Sequence, residues 1–213
     1  MRALWIVIVC AVLAGCASVR PQLRGPTEAE RAQIDRALAP LVAASAMCRG
    51  QDRCPIGVGV IQLRRIDMAV GPHPPNLFGL TITAGALQNL EPFELQAALA
   101  HELGHVQLGH FDSRGERRQG ESPAAAKAGG DGEAALRRNR AYDREEEFAA
   151  DRYAVELLDK LPGGPGRGCA DMLLLLERLD LEMTVPAWSS WVSTHPTPAA
   201  RLKAIHAECG TKS

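Results

Sequence analysis

Aromatic side chains are scarce in this chain of 213 residues, which holds four Phe, three Trp and two Tyr. Its core must therefore be filled mainly by Leu, Ala, Val and Ile, and a hydrophobic fraction of 46% supplies enough of them. An excess of charge of either sign is also missing. The 24 basic residues stand against 25 acidic ones, giving a formal net charge of −1. No face-sized cluster of Lys and Arg is visible, which excludes the electrostatic footprint of a nucleic-acid-binding protein. No apolar run reaches the roughly 20 residues that a membrane-spanning helix needs. Internal repeats are absent, and the length suits one compact domain.

The longest apolar run, Ala3 to Ala14, follows Arg2 and ends at Gly15-Cys16. One positive charge, a short apolar segment and small residues before a break describe a secretory signal. Leu13-Ala14-Gly15-Cys16 resembles the bacterial lipobox, which implies cleavage before Cys16 and lipidation of that residue. Several acyl chains on one residue anchor firmly, because each buried methylene adds about 0.8 kcal/mol. Ala17 stands where an Asp usually marks inner-membrane retention. The expectation is a signal peptide over 1–15, a lipidated tether over 16–27 and a periplasmic domain held at the outer membrane of a bacterial envelope. An uncleaved membrane anchor is the competing reading, and the length of the run argues against it.

Cysteine usage agrees with an oxidising compartment. Cys10 leaves with the signal and Cys16 carries lipid, so Cys48, Cys54, Cys169 and Cys209 remain. Four cysteines allow three connectivities. The favoured pairing is Cys48–Cys54, close in sequence, with Cys169–Cys209 stapling the last two helices; buried free thiols are the alternative.

Along the chain, Thr27 with Glu28 and Glu30 signals the start of an amphipathic helix from Ala29 to Met47. Branched residues predict strands over Pro55–Leu63, Arg65–Val70 and Leu77–Thr83, the last two separated by the breaker-rich Gly71–Asn76. Pro92 to Gly109 reads as the clearest helix, with Pro92 in the first turn and Gly109 as its stop. The glycine-rich stretch 112–143 predicts a mobile loop. Helical periodicity returns over Arg144–Leu161, Cys169–Met183 and Thr197–Cys209. The fold class expected is α+β, mostly helical with a small mixed sheet, over 28–210.

Chemistry is concentrated in His101-Glu-Leu-Gly-His105. A spacing of four places both imidazoles on one face of a helix, one turn apart, where they can share a metal. Glu102 then reaches a water beside the metal rather than the metal itself. Gly104 leaves room for a close neighbour. A third His in the extended form of this motif would fall at Phe111, and His110 is one residue short, so it reads as a structural histidine near the helix end. The better third ligand is a Glu on a later helix. Glu147-Phe-Ala-Ala-Asp151 supplies one, with Asp151 on the same face and able to accept a hydrogen bond from a ligand imidazole. A solvated acidic first turn explains Glu147 equally well when taken alone, since Glu145 and Glu146 stand beside it.

Four segments in order resemble metallopeptidase family 48, the Ste24/HtpX/Oma-type gluzincins. Asn76-Leu-Phe-Gly79 is similar to the family's Asn-Ala-Phe-Ala segment, departing at its second and fourth positions. His101-Glu-Leu-Gly-His105, with Val106 and His110 after it, is similar to the family's metal helix. Glu147-Phe-Ala-Ala-Asp151 is similar to its Glu-x-x-Ala-Asp segment, which selects Glu147 over its acidic neighbours. Thr194-His-Pro-Thr-Pro-Ala-Ala-Arg201 resembles its C-terminal His-Pro-x-x-x-x-Arg segment.

The resemblance implies a zincin-like fold and one zinc ion per chain, held by His101, His105 and Glu147 with Glu102 as general base. It implies that His195 stabilises the tetrahedral oxyanion or occupies the metal's open position in a latent state. Arg201 polarises the substrate carbonyl or holds Glu147 by a charge-assisted contact. Substrate is expected to lie extended beside Leu77–Thr83 by β-addition, a mode that suits unfolded or misassembled envelope polypeptides. Two other readings compete: a non-enzymatic or latent lipoprotein that assists assembly of outer-membrane proteins, and a zinc hydrolase acting on cell-wall bridges.

Overall fold

Thr27 starts the first helix of the computed structural model, which describes residues 22–45, 47–48, 55–71, 78–110, 144–183 and 197–210. Helix α1 (Glu28–Ala44) opens on a capping box. The Glu30 amide donates to Thr27 Oγ1 at 3.3 Å, and the Thr27 amide donates back to Glu30 Oε2 at 2.7 Å. Arg24 reaches the same carboxylate with two 2.7 Å hydrogen bonds. That fork fixes the short strand β1 (Leu23–Arg24) beside the helix.

β1 was not expected, because residues 16–27 read as a tether. Leu23 and Arg24 instead pair antiparallel with Ile61 and Val60. Two residues give no periodicity, so only their partner strand reveals them. The tether over 16–21, the signal region, Cys16, Cys54, loop 112–143 and His195 lie outside the described residues.

Strands β2 (Ile56–Ile61), β3 (Met68–Gly71) and β4 (Phe78–Thr83) complete a four-stranded sheet in the order β1-β2-β4-β3. β2 and β4 run parallel, with Val58 opposite Leu80, while β3 runs antiparallel to β4, with Val70 opposite Leu80. The sheet is mixed, as expected. The order carries one correction. β4 is flanked on both sides, so it has no edge to offer a substrate; among the described residues the edge strand beside the helices is β3.

Alternation sorts the sheet's faces. Val60, Val70, Phe78, Leu80 and Ile82 point into the core against α1 and the helix that follows. A one-turn-and-a-half helix α2 (Ala84–Asn89), too short for a periodic signal, is capped by Thr83 and leads to α3 (Pro92–Gln107). α3 is the central element. Pro92 sits in its first turn, Glu91 and Glu94 cap it, and every residue from Glu94 to His105 is buried. It packs against α1, β3, α4 (Arg144–Leu158) and α5 (Arg167–Met183). The last helix, α6 (Pro198–Gly210), lies on α5 and α4, and the Cys169–Cys209 disulfide joins its end to the start of α5. Cys48 is also disulfide-bonded. Among the described residues no helix is long and apolar enough to cross a membrane.

Candidate metal centre

The metal motif sits in the last half of α3, where burial on all sides forces any polar group to find a partner. His101 and His105 are one turn apart, and their Nε2 atoms approach to 3.1 Å. Glu147, in the first turn of α4, faces both: Oε2 lies 3.4 Å from His101 Nε2, and Oε1 lies 3.4 Å from His105 Nε2. These three side chains form the one potential metal-binding cluster among the described residues.

The spacings fit zinc. Ligands about 2.0–2.1 Å from a tetrahedral zinc ion lie about 3.3 Å from each other. Two neutral imidazoles and a carboxylate also form the donor set of a catalytic site that keeps one position open.

Gly104 makes the approach of α4 to α3 possible. A Cβ at that position would stand 2.9 Å from the Ala150 carbonyl oxygen and 3.0 Å from its Cα. Ala150 lies one helical turn after Glu147, so the contact between the helices also sets the height of Glu147 above the histidines.

A network behind the ligands fixes His101. Its Nδ1 is 2.8 Å from Asp151 Oδ1. With Nε2 turned toward the metal position, Nδ1 carries the proton and donates it to that carboxylate. Arg201 on α6 grips the same carboxylate, Nε donating to Oδ2 at 2.9 Å and Nη2 to Oδ1 at 2.6 Å. Its Nη1 is 3.9 Å from Glu147 Oε2, so its principal partner is Asp151 and Glu147 is secondary. The expected hold on Glu147 is thus mostly indirect. Sequence spacing could not reveal this, because fifty residues separate Arg201 from Asp151.

Burial and neighbouring charges set the protonation of these groups. Burial and the adjacent Arg201 push His101 downward, yet Asp151 and Glu147 outweigh them and bring it to about 9. Burial draws His105 down to about 3 despite Glu147. Burial would raise Asp151, but Arg201 and His101 hold it below its usual value. Glu102 is raised to about 7, by burial first and Glu147 as well, against the pull of His101 and Arg201.

Glu102 points to the β3 side of α3. Its carboxylate accepts a hydrogen bond from the Val70 backbone N–H, and its Oε2 is buried with no hydrogen-bond partner among the described residues. A cavity of about 50 Å³ opens beside His101 and Glu102, walled by Ile66, Met68, Ala98, Leu175 and Leu179. The leucines come from α5, whose run Leu173–Leu176 gave no hint from sequence that Leu175, itself a core residue, also borders a cavity.

The structure brings together His101, Glu102, His105, Glu147, Asp151 and Arg201. His195, expected at the same cleft, lies outside the described residues, as do Asn76 and Leu77 of the Asn76–Gly79 segment, whose Phe78 and Gly79 open β4. His110, read from the sequence as a structural histidine, places its Nδ1 2.8 Å from His105 Nδ1.

A buried helix bearing two histidines, a carboxylate from a second helix and an edge strand alongside make up a zincin-type metal centre. Comparison with known proteins narrows the class. The family described as Peptidase family M48 matches residues 77–209, more than half of the chain, and the chain belongs to it. The crystal structure of S. mikatae Ste24p has a similar fold, with a TM-score of 0.53 and 17% sequence identity over 93% of this chain and 56% of that one. This chain therefore spans little more than half the length of that structure. No curated protein matches it in sequence.

Proposed function

We propose that this chain is a zinc-dependent endopeptidase of the bacterial cell envelope, acting on unfolded or misassembled envelope polypeptides. The observation that carries this reading is the convergence of His101 Nε2, His105 Nε2 and the Glu147 carboxylate at spacings of 3.1–3.4 Å, with the Glu102 carboxylate beside them. His101, His105 and Glu147 would hold the ion. Bound zinc supplies a water acidified toward neutrality and a Lewis acid for the substrate carbonyl.

Glu102 takes the proton of the attacking water and later delivers it to the leaving amine nitrogen. Its displacement toward neutral pH suits both roles, because a group near the working pH both accepts and returns a proton readily. A nearby dication lowers that value again, favouring the ionised base. Asp151 keeps His101 in the tautomer that presents Nε2, and Arg201 keeps Asp151 ionised and oriented.

Substrate lies extended along β3, the edge strand beside Glu102, and inserts one flanking side chain into the cavity. Backbone pairing reads extended chain more than sequence, which suits unfolded polypeptides. The lipobox-like Leu13–Cys16 supports a lipid anchor at the periplasmic face of the outer membrane. An intact Glu102 weighs against a purely assembly-assisting protein, because a structural metal site has no need of it.

The test uses zinc-loaded protein and an unfolded protein substrate. Cleavage is expected, with loss in the chelated protein and in Glu102→Gln, and with stoichiometric zinc retained by that variant. Zinc binding without any cleavage of unfolded chains would overturn the peptidase reading and favour the assembly factor.

A further inference from the structure

His105 differs from His101 in what stands behind it. Metal-bound histidines ordinarily donate their second ring N–H to a carboxylate, a carbonyl or water. His101 follows that rule through Asp151, but His105 Nδ1 faces another imidazole, His110 Nδ1, at 2.8 Å. Both rings are buried, and they meet edge to face with centroids 5.0 Å apart.

The end of α3 builds this contact. Gly109 adopts φ +69°, a left-handed conformation that only glycine takes without strain. Two hydrogen bonds then close the helix: the Gly109 amide donates to the Val106 carbonyl at 3.2 Å, and the His110 amide to the His105 carbonyl at 3.1 Å. This is the Schellman arrangement, in which the second residue past the cap folds back on the residue five before it, usually through an apolar contact. Here that contact joins two imidazoles.

We propose that His110 is a positioning residue for the metal centre, fixing His105 in the tautomer that presents Nε2 to the ion. The inference rests on the metal site proposed above. Two Nδ1 atoms at this distance share one proton. For His105 to ligate through Nε2 as a neutral ring, its Nδ1 must carry that proton, so His110 Nδ1 accepts it and His110 is protonated at Nε2. The two ligands are thereby oriented by different chemistry, His101 by a carboxylate and His105 by a neutral ring. The helix-stop Gly109 becomes part of the metal site, because it aims the acceptor.

The test compares three full-length proteins: wild type, His110→Leu and His110→Asn. Leucine keeps the bulk without an acceptor, whereas Asn places Oδ1 at the same covalent distance from Cα as His Nδ1. Zinc dissociation constants are measured by chelator competition, alongside the melting temperature of each metal-free protein. His110→Leu is expected to bind zinc about 10–100-fold more weakly, as for other partners behind metal-bound histidines. Asn is expected to restore affinity to within about threefold, with similar melting temperatures for the two variants. A leucine variant that matches wild type, or an asparagine variant as weak as leucine, overturns the proposal.

Should the leucine variant fail to fold, 15N spectra of the metal-free wild type decide. A proton on His105 Nδ1 is the expected result, and one on Nε2 overturns the proposal. A wild type that binds no zinc at all sinks the metal reading and this inference together. Tight zinc binding that is indifferent to His110 sinks only the inference.

Discussion

Arg201 and Asp151 form a two-pronged ion pair inside the protein, with hydrogen bonds of 2.9 and 2.6 Å and both side chains almost fully buried. The pair joins the last helix to the helix that carries Glu147, and through Asp151 it reaches His101.

Breaking it from one side leaves a charge stranded away from water. Arg201→Ala is expected to destabilise the metal-free protein by about 3–5 kcal/mol, read from chemical denaturation. Arg201→Lys should recover only part of that loss, because a single ammonium cannot match the fork of the guanidinium. A cost below about 1 kcal/mol for the alanine variant would contradict the buried pairing.

Zinc binding should release protons. In the metal-free protein His101 is raised to about 9, so at pH 8 it is mostly protonated, while His105, lowered to about 3, is already neutral. Binding through His101 Nε2 must expel the extra proton, so raising the pH favours binding. Affinity should climb by close to tenfold per unit from about pH 6.5 until pH approaches 9, where His101 loses that proton unaided. Calorimetry at pH 8 in buffers of different ionisation enthalpy should count at least one proton per zinc, that of His101, with any further proton coming from the acidified water. Heats that do not vary with the buffer would refute the assignment.

Gly104→Ala tests the spacing between the two ligand-bearing helices. Its methyl would meet the backbone of Ala150 at 2.9–3.0 Å, and backbone yields less readily than a side chain. The expected cost is about 1–3 kcal/mol of stability, together with weaker zinc binding as Glu147 is pushed away from the histidines. Unchanged affinity in this variant would show that the helix contact does not set the position of Glu147.

Ala98→Leu should fill the cavity beside His101 and Glu102. Cleavage next to bulky apolar residues is expected to fall about 10–200-fold in kcat/KM, the range for small volume changes in an apolar pocket, with zinc content unchanged. Mass-spectrometric mapping of the cleavage sites would reveal the shift, and an unaltered site profile would remove the cavity from the substrate path.

Much of this site was legible in the sequence because helical geometry is local. Four residues always make about one turn, so the spacing of His101 and His105 settled their common face before any fold was known. The same holds for Glu147 and Asp151, and for the caps at Thr27 and Pro92. Strand segments were legible from their branched residues, but the order of strands was not. Nothing in Leu77–Thr83 says that β4 is enclosed and β3 is the edge, since both carry the same alternation.

Other features depended on segments far apart in the chain. The partner of Arg201, the leucines of α5 that wall the cavity, and the pairing of Leu23 and Arg24 with β2 all required packing to bring the elements together. By itself the sequence determined the metal-binding residue types, the helices that carry two pairs of them, and their resemblance to a peptidase family. Only the tertiary structure decided which edge faces the site, which carboxylate Arg201 holds and where His110 points. Periodicity reports what one element presents, whereas contacts between elements depend on how buried surfaces fit once they meet.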